Sequence, residues 1–137
     1  MEEKNKLYSR KAIIIATFFF GPFLTGFLMC LNFRKLEKKR LGTIILIICY
    51  IYSILLHIVV FSIPDEIFEK IHATFIPFIN ATLAYFLINK YQGFDLEEYM
   101  KMNKPFVSAW KVLAICTICL LIYLCILFIG LLIYAKI

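Results

Sequence analysis

The chain has 137 residues, a formal net charge of +6 and a mean hydropathy of +0.88, with 63% of its residues hydrophobic and 18% charged. Soluble domains are about half apolar and about a quarter charged; here four uncharged stretches, 12–31, 41–61, 71–88 and 112–135, hold 83 residues and leave all 24 charges to the other 54. Apolar runs of about 18 or more residues are long enough to cross a bilayer, which excludes a soluble enzyme, a disulfide-stapled secreted domain and a nucleic-acid-binding module.

Residues 1–11 form a polar tail with four bases, Lys4, Lys6, Arg10 and Lys11. No small-x-small cleavage pattern follows the first apolar run, and Met29 before Cys30 spoils a lipoprotein site, so the run is expected to stay in the mature chain. The spacing predicts a first hydrophobic helix over 12–31, kinked at Gly21-Pro22. Small residues recur every four positions, at Thr17, Gly21 and Thr25 and at Pro22, Gly26 and Cys30, as membrane helices that pack closely require. The alternative is a re-entrant hairpin turning at Gly21-Pro22. With a full span, nine Lys and Arg fall on one side and six on the other; with a hairpin the partition is 13 against two. Basic residues concentrate on the cytoplasmic side, which favours the hairpin. The 20-residue length and the cost of exposing unpaired backbone to lipid favour the span, and the span is the expectation.

A second helix is predicted over 41–61. Its less apolar residues Gly42, Cys49, Ser53 and His57 form one stripe that should face other helices. A third is predicted over 64–90, starting near Ser62 and Pro64 and presenting Ala73, Pro77, Asn80 and Ala84 along a small-residue face, with a second kink at Pro77. Asn80 needs a polar partner, for which Thr17, Thr25, Ser53 and Tyr85 are the candidates. The 89–111 segment predicts a short cytoplasmic amphipathic helix over 96–103. Asp95 and Glu98 fit a capping box, Phe94 and Tyr99 a hydrophobic staple, and Pro105 ends the helix. Trp110 and Lys111 then anchor a fourth helix over 109–135, whose seam runs through Cys116, Cys119, Tyr123, Leu127, Gly130 and Tyr134. Cys116-x-x-Cys119 lacks a second pair or a flanking His, so the five cysteines read as packing residues. The expected fold is an all-α, single-domain, polytopic membrane bundle of four hydrophobic helices plus the amphipathic one.

Ionisable groups inside membrane helices are the usual pointers to function. The spans offer only His57 and His72, both near Asp65, Glu66 and Glu69. His57, Glu69 and His72 are conceivable metal ligands, or a proton-handling pair; the plainer reading is interfacial histidines bonded to backbone. No serine–histidine–acid set, glycine-rich phosphate loop or zinc-protease motif occurs, and no cofactor is implied.

Tyr8-Ser9, Ile13, Ala16-Thr17-Phe18, Gly21-Pro22, Gly26, Asn32-Phe33 and Leu36, with Lys90-Tyr91-Gln92-Gly93 and Trp110-Lys111, resemble the pattern of a group of small bacterial membrane proteins. That group carries a double glycine before the proline, and Phe20 stands here in place of the first. The resemblance implies the bacterial cytoplasmic (inner) membrane and brings no activity with it. The expected role is a non-catalytic membrane component acting through helix–helix association with itself or with a membrane complex. The alternatives are a small oligomeric transporter or channel with Ser53, His57 and Asn80 along its path, and a metal- or pH-responsive sensor. Neither an enzyme nor a nucleic-acid partner is expected.

Overall fold

The computed structural model describes residues 5–71 and 73–136, and across them the chain is all-helical. The helices are α1 (Arg10–Phe20), α2 (Pro22–Lys35), α3 (Lys39–Ser62), α4 (Asp65–Phe68), α5 (Phe75–Tyr91), α6 (Gly93–Lys101) and α7 (Ala109–Lys136). Two of them, α3 with 24 residues and α7 with 28, are long and apolar enough to cross a membrane. Their bounds lie within two residues of those expected for the second and fourth hydrophobic helices.

The first apolar run is not one helix. It breaks at Gly21, whose φ of 93° and ψ of 173° fall in a region open essentially only to glycine. Pro22 then opens α2 where its missing N–H leaves no bond unmade. Two contacts show that α2 folds back along α1. Thr17 Oγ1 and Thr25 Oγ1 lie 2.6 Å apart, and further from the tip the Tyr8 backbone is bonded to the Asn32 side chain. The expected full span over 12–31 is therefore corrected to a helical hairpin. Its arms of 11 and 14 residues reach roughly 16 and 21 Å, short of the ~30 Å hydrocarbon core. The backbone objection to a hairpin weakens, because the turn bonds its own backbone: Gly21 N–H donates to Thr17 O at 2.9 Å and Leu24 N–H to Gly21 O at 3.3 Å.

The expected 64–90 helix is corrected as well. α4 is a single turn, and α5 begins only at Phe75. Pro77 is thus the third residue of α5, in the first turn, where no helical N–H bond is lost. It starts a helix instead of kinking one. The amphipathic helix expected over 96–103 begins three residues earlier, as α6, directly after α5. Its capping box does not form: Asp95 lies inside the first turn and pairs with Lys38 at 2.8 Å, while Gln92 holds the cap position.

Burial places the hairpin at the centre. Nine of the 14 residues of α2 are buried, against two of the 28 in α7. α3 packs along α2, and α1 leans on α5 and α7. The approach of α2 to α3 is set by two glycines. A Cβ on Gly26 would stand 2.6 Å from the Cys49 Cβ, and one on Gly42 would stand 2.9 Å from the Phe33 Cβ. The Gly42–Cys49–Ser53 stripe accordingly faces inward, while Ile47, Ile51, Leu55, Ile118 and Ile122 point out. The α7 seam packs only in its first half: Cys116 is buried, whereas Tyr134 is 80% exposed.

The turn at Gly21 also sorts charge. Residues 5–9 lie beside the end of α2 and the 104–108 segment, joined by Val107 N–H donating to Leu7 O at 2.9 Å. Of the 14 described Lys and Arg, 12 therefore gather at this end, and Lys70 and Lys136 lie at the other.

Candidate functional site

Four elements converge where the hairpin turns. The helical repeat places Ser53 and His57 on one face of α3. α5 contributes Pro77 and Asn80, α7 contributes Cys119 and Tyr123, and the tip contributes Gly21 and Pro22. Together they enclose a cavity of about 440 Å³, a size typical of small-molecule sites. Gly21 cannot fill it, and Pro22 keeps the turn tight, so the sequence feature that bends the chain also leaves the space.

The polar groups of the cavity are specifically bonded. His57 Nδ1 lies 2.7 Å from the Ser53 carbonyl oxygen, which can only accept, so Nδ1 carries the proton. The Tyr123 hydroxyl is within hydrogen-bonding distance of the same ring, 3.2 and 3.3 Å from Nδ1 and Nε2. Tyr52 donates to Asn80 Oδ1 at 3.0 Å. Asn80 is only 5% exposed, and its amide N–H groups have no acceptor among the described residues. Among the described residues no Asp, Glu, Lys or Arg side chain lines the cavity. Beneath the tip the space closes. Thr17 donates to Ile13 O at 2.8 Å and so accepts from Thr25, and Leu28, Met29 and Ile88 pack below with no exposure. Toward the 62–74 end, Val60, Ala73 and Leu127 continue the wall.

Six residues singled out in the sequence, Gly21, Pro22, Ser53, His57, Pro77 and Asn80, thus meet at one place, with Gly26 lower down at the α2–α3 contact. The expected partners of Asn80 are corrected. Thr17 and Thr25 bond each other, Tyr85 faces outward, and Tyr52 is the partner. Tyr123 stood on the predicted α7 seam, but its bond to His57 had no signal in the spacing. Glu69 is exposed near the 62–74 turn, and His72 lies outside the described residues. Among the described residues no three His, Cys, Asp or Glu side chains are grouped to hold a metal ion.

A second buried polar cluster lies at the basic end. Asn32 Oδ1 accepts from Tyr8 N–H at 2.7 Å, and its amide donates to Tyr8 O at 3.0 Å and to Gln92 Oε1 at 3.3 Å. Gln92 Nε2 donates to Met29 O at 2.9 Å. Asn32 and Gln92 are both fully buried. The cluster ties the tail, the end of α2 and the α5–α6 corner together, and its chemistry is that of a clasp. Compared with family models, curated proteins and solved structures, the chain matches none.

Proposed function

We propose that the protein is a multi-pass component of the bacterial cytoplasmic membrane that passes small uncharged solutes through the cavity at its hairpin tip. The observation that carries this reading is the cavity itself, bounded by His57, Tyr123, Asn80 and the Gly21 turn. In the proposed arrangement the basic end faces the cytoplasm, and α3, α5 and α7 cross. The hairpin enters from the cytoplasmic side and turns midway, so the cavity opens outward. A solute there is expected to be uncharged, because no Asp, Glu, Lys or Arg among the described lining residues offers a counter-ion and burying a lone charge is costly. The free Asn80 amide would bind an acceptor oxygen. The packed Thr17–Thr25 pair and the side chains beneath it act as the gate. Such a cavity belongs to one chain, so no oligomer is needed to form it.

Stopped-flow swelling of proteoliposomes with glycerol, urea and erythritol tests the reading. At least one should enter faster than in empty liposomes. Asn80→Leu and Tyr123→Phe should each slow that entry about tenfold, the effect of losing about 1.4 kcal/mol of interaction. If none of the three enters faster, transport of small neutral solutes is removed.

A second reading is association, favoured by the outer half of α7, from Leu124 onward, where every described residue is exposed. A second copy is the proposed occupant. Crosslinking in native membranes through residues placed at 126, 129 and 133 should then give a dimer, and a strictly monomeric protein would exclude it.

A further inference from the structure

Lys6, Tyr8, Lys35, Phe106, Ser108 and Lys111 line a cleft of about 150 Å³ at the basic end, between the tail, the end of α2 and the start of α7. The Lys35 ammonium is held in place there by two contacts. It donates to the Lys6 carbonyl and lies 4.9 Å from the centre of the Tyr8 ring. It is partly buried, burial holds its pKa below the ordinary lysine value, and neither it nor Lys6 has a carboxylate partner among the described residues. The two ion pairs nearby belong to Arg10 with Glu97 and Lys38 with Asp95. Lysine ammonium groups drawn into a cleft favour an anion, and α7 begins at the rim with its first-turn amides and positive dipole end.

The cleft also continues into hydrocarbon-lined space. One of its lining residues, Ile115, is shared with an apolar groove of about 380 Å³ between α7 and the hairpin, lined by Phe23, Phe27, Ile118 and Ile122. The neighbouring Trp110 is 81% exposed at the start of α7, as an indole at headgroup level is. A free phosphate would use the cleft and leave the groove idle. We infer that cleft and groove bind one anionic phospholipid, its phosphate held by Lys6 and Lys35 and one acyl chain lying along the α7 groove. The site is separate from the hairpin-tip cavity and does not depend on how that cavity functions.

The test uses the full chain in nanodiscs of dioleoylphosphatidylcholine containing a minor share of dioleoylphosphatidylglycerol. Lipid retained after gentle delipidation is counted by native mass spectrometry. One phosphatidylglycerol should remain in preference to phosphatidylcholine. Lys6→Gln with Lys35→Gln should lower its retention about tenfold, whereas Lys101→Gln with Lys104→Gln, an equal loss of charge at the same end, should leave it unchanged. Lys6→Gln alone, whose side chain ties nothing together, should give an intermediate loss and guards against misfolding of the double variant. Equal losses from both pairs would reduce the effect to surface charge and overturn the site. Equal retention of the two lipids would overturn it too. So would uptake of inorganic phosphate by the delipidated protein, dependent on Lys6 and Lys35, with no phosphatidylglycerol retained.

Discussion

Gly21, Gly26 and Gly130 are glycine for different physical reasons, and the reasons make different predictions. At Gly21 a Cβ would meet nothing within 4 Å, so the requirement is conformational. Gly21→Ala should cost about 1–3 kcal/mol of backbone strain without creating a clash. At Gly26 the requirement is space, since the added Cβ would sit 2.6 Å from that of Cys49. Gly26→Ala should destabilise by about 1–3 kcal/mol, and Cys49→Gly in the same chain should recover part of the loss. Gly130 has open space around it, so Gly130→Ala should be neutral or stabilise by up to about 1 kcal/mol through helix propensity. Reversible unfolding in mixed micelles would rank the four variants; a Gly26→Ala change as harmless as Gly130→Ala would contradict the close α2–α3 approach. The four-residue spacing already marked Gly26 as an approach point. The Tyr52–Asn80 and His57–Tyr123 bonds were not legible, because spacing gives the face of each helix and says nothing of how two helices are rotated against each other.

At the scale of elements, the hairpin is held by its two ends rather than by its turn. The Thr17–Thr25 bond ties the arms near the tip, and the Asn32 side chain ties the tail to the far end of α2. Asn32→Ala removes both partners of the buried Tyr8 backbone and should cost about 1–3 kcal/mol for each group left unpaired. The tail should then peel from Val107, seen as faster cleavage by trypsin at Lys6 and Arg10 while α3 and α7 stay protected. Unchanged cleavage would mean that the tail is held elsewhere. Asn32 and Gln92 are 60 positions apart, and nothing periodic links them, so the clasp could not be derived from the sequence. The turn itself could. Gly21-Pro22 and the charge imbalance it creates are both visible in the sequence, and they oppose the span that a 20-residue length suggests. Length is a local quantity that two antiparallel arms satisfy as well as one span does. Pro77 carries a similar lesson: a proline in an apolar run marks a helix start as readily as a kink, and the turns before Phe75 decide which.

For the molecule as a whole, the hairpin converts an ambiguous charge count into a polarised one. Twelve described Lys and Arg at one end against two at the other orient the chain far more strongly than nine against six would. On the proposed topology the tail, the 36–38 turn and α6 would share the cytoplasmic compartment, and the loop around position 66 would face outward. Single cysteines placed at positions 5, 36, 66 and 100 should report this with a membrane-impermeant maleimide. The native thiols add little background, because Cys30, Cys49 and Cys116 are buried and Cys119 and Cys125 lie within α7. In intact spheroplasts position 66 should react, and positions 5, 36 and 100 should react only after lysis. Reaction of position 5 from outside, with 36 protected, would put the first apolar run back across the membrane and break the Tyr8–Asn32 clasp. That outcome would also remove the cavity, since a straight first helix has no tip to close it. Topology and site therefore stand on the same residue pair, Gly21-Pro22: turning the chain there gathers the positive charge at one end and leaves polar, uncharged space in the middle.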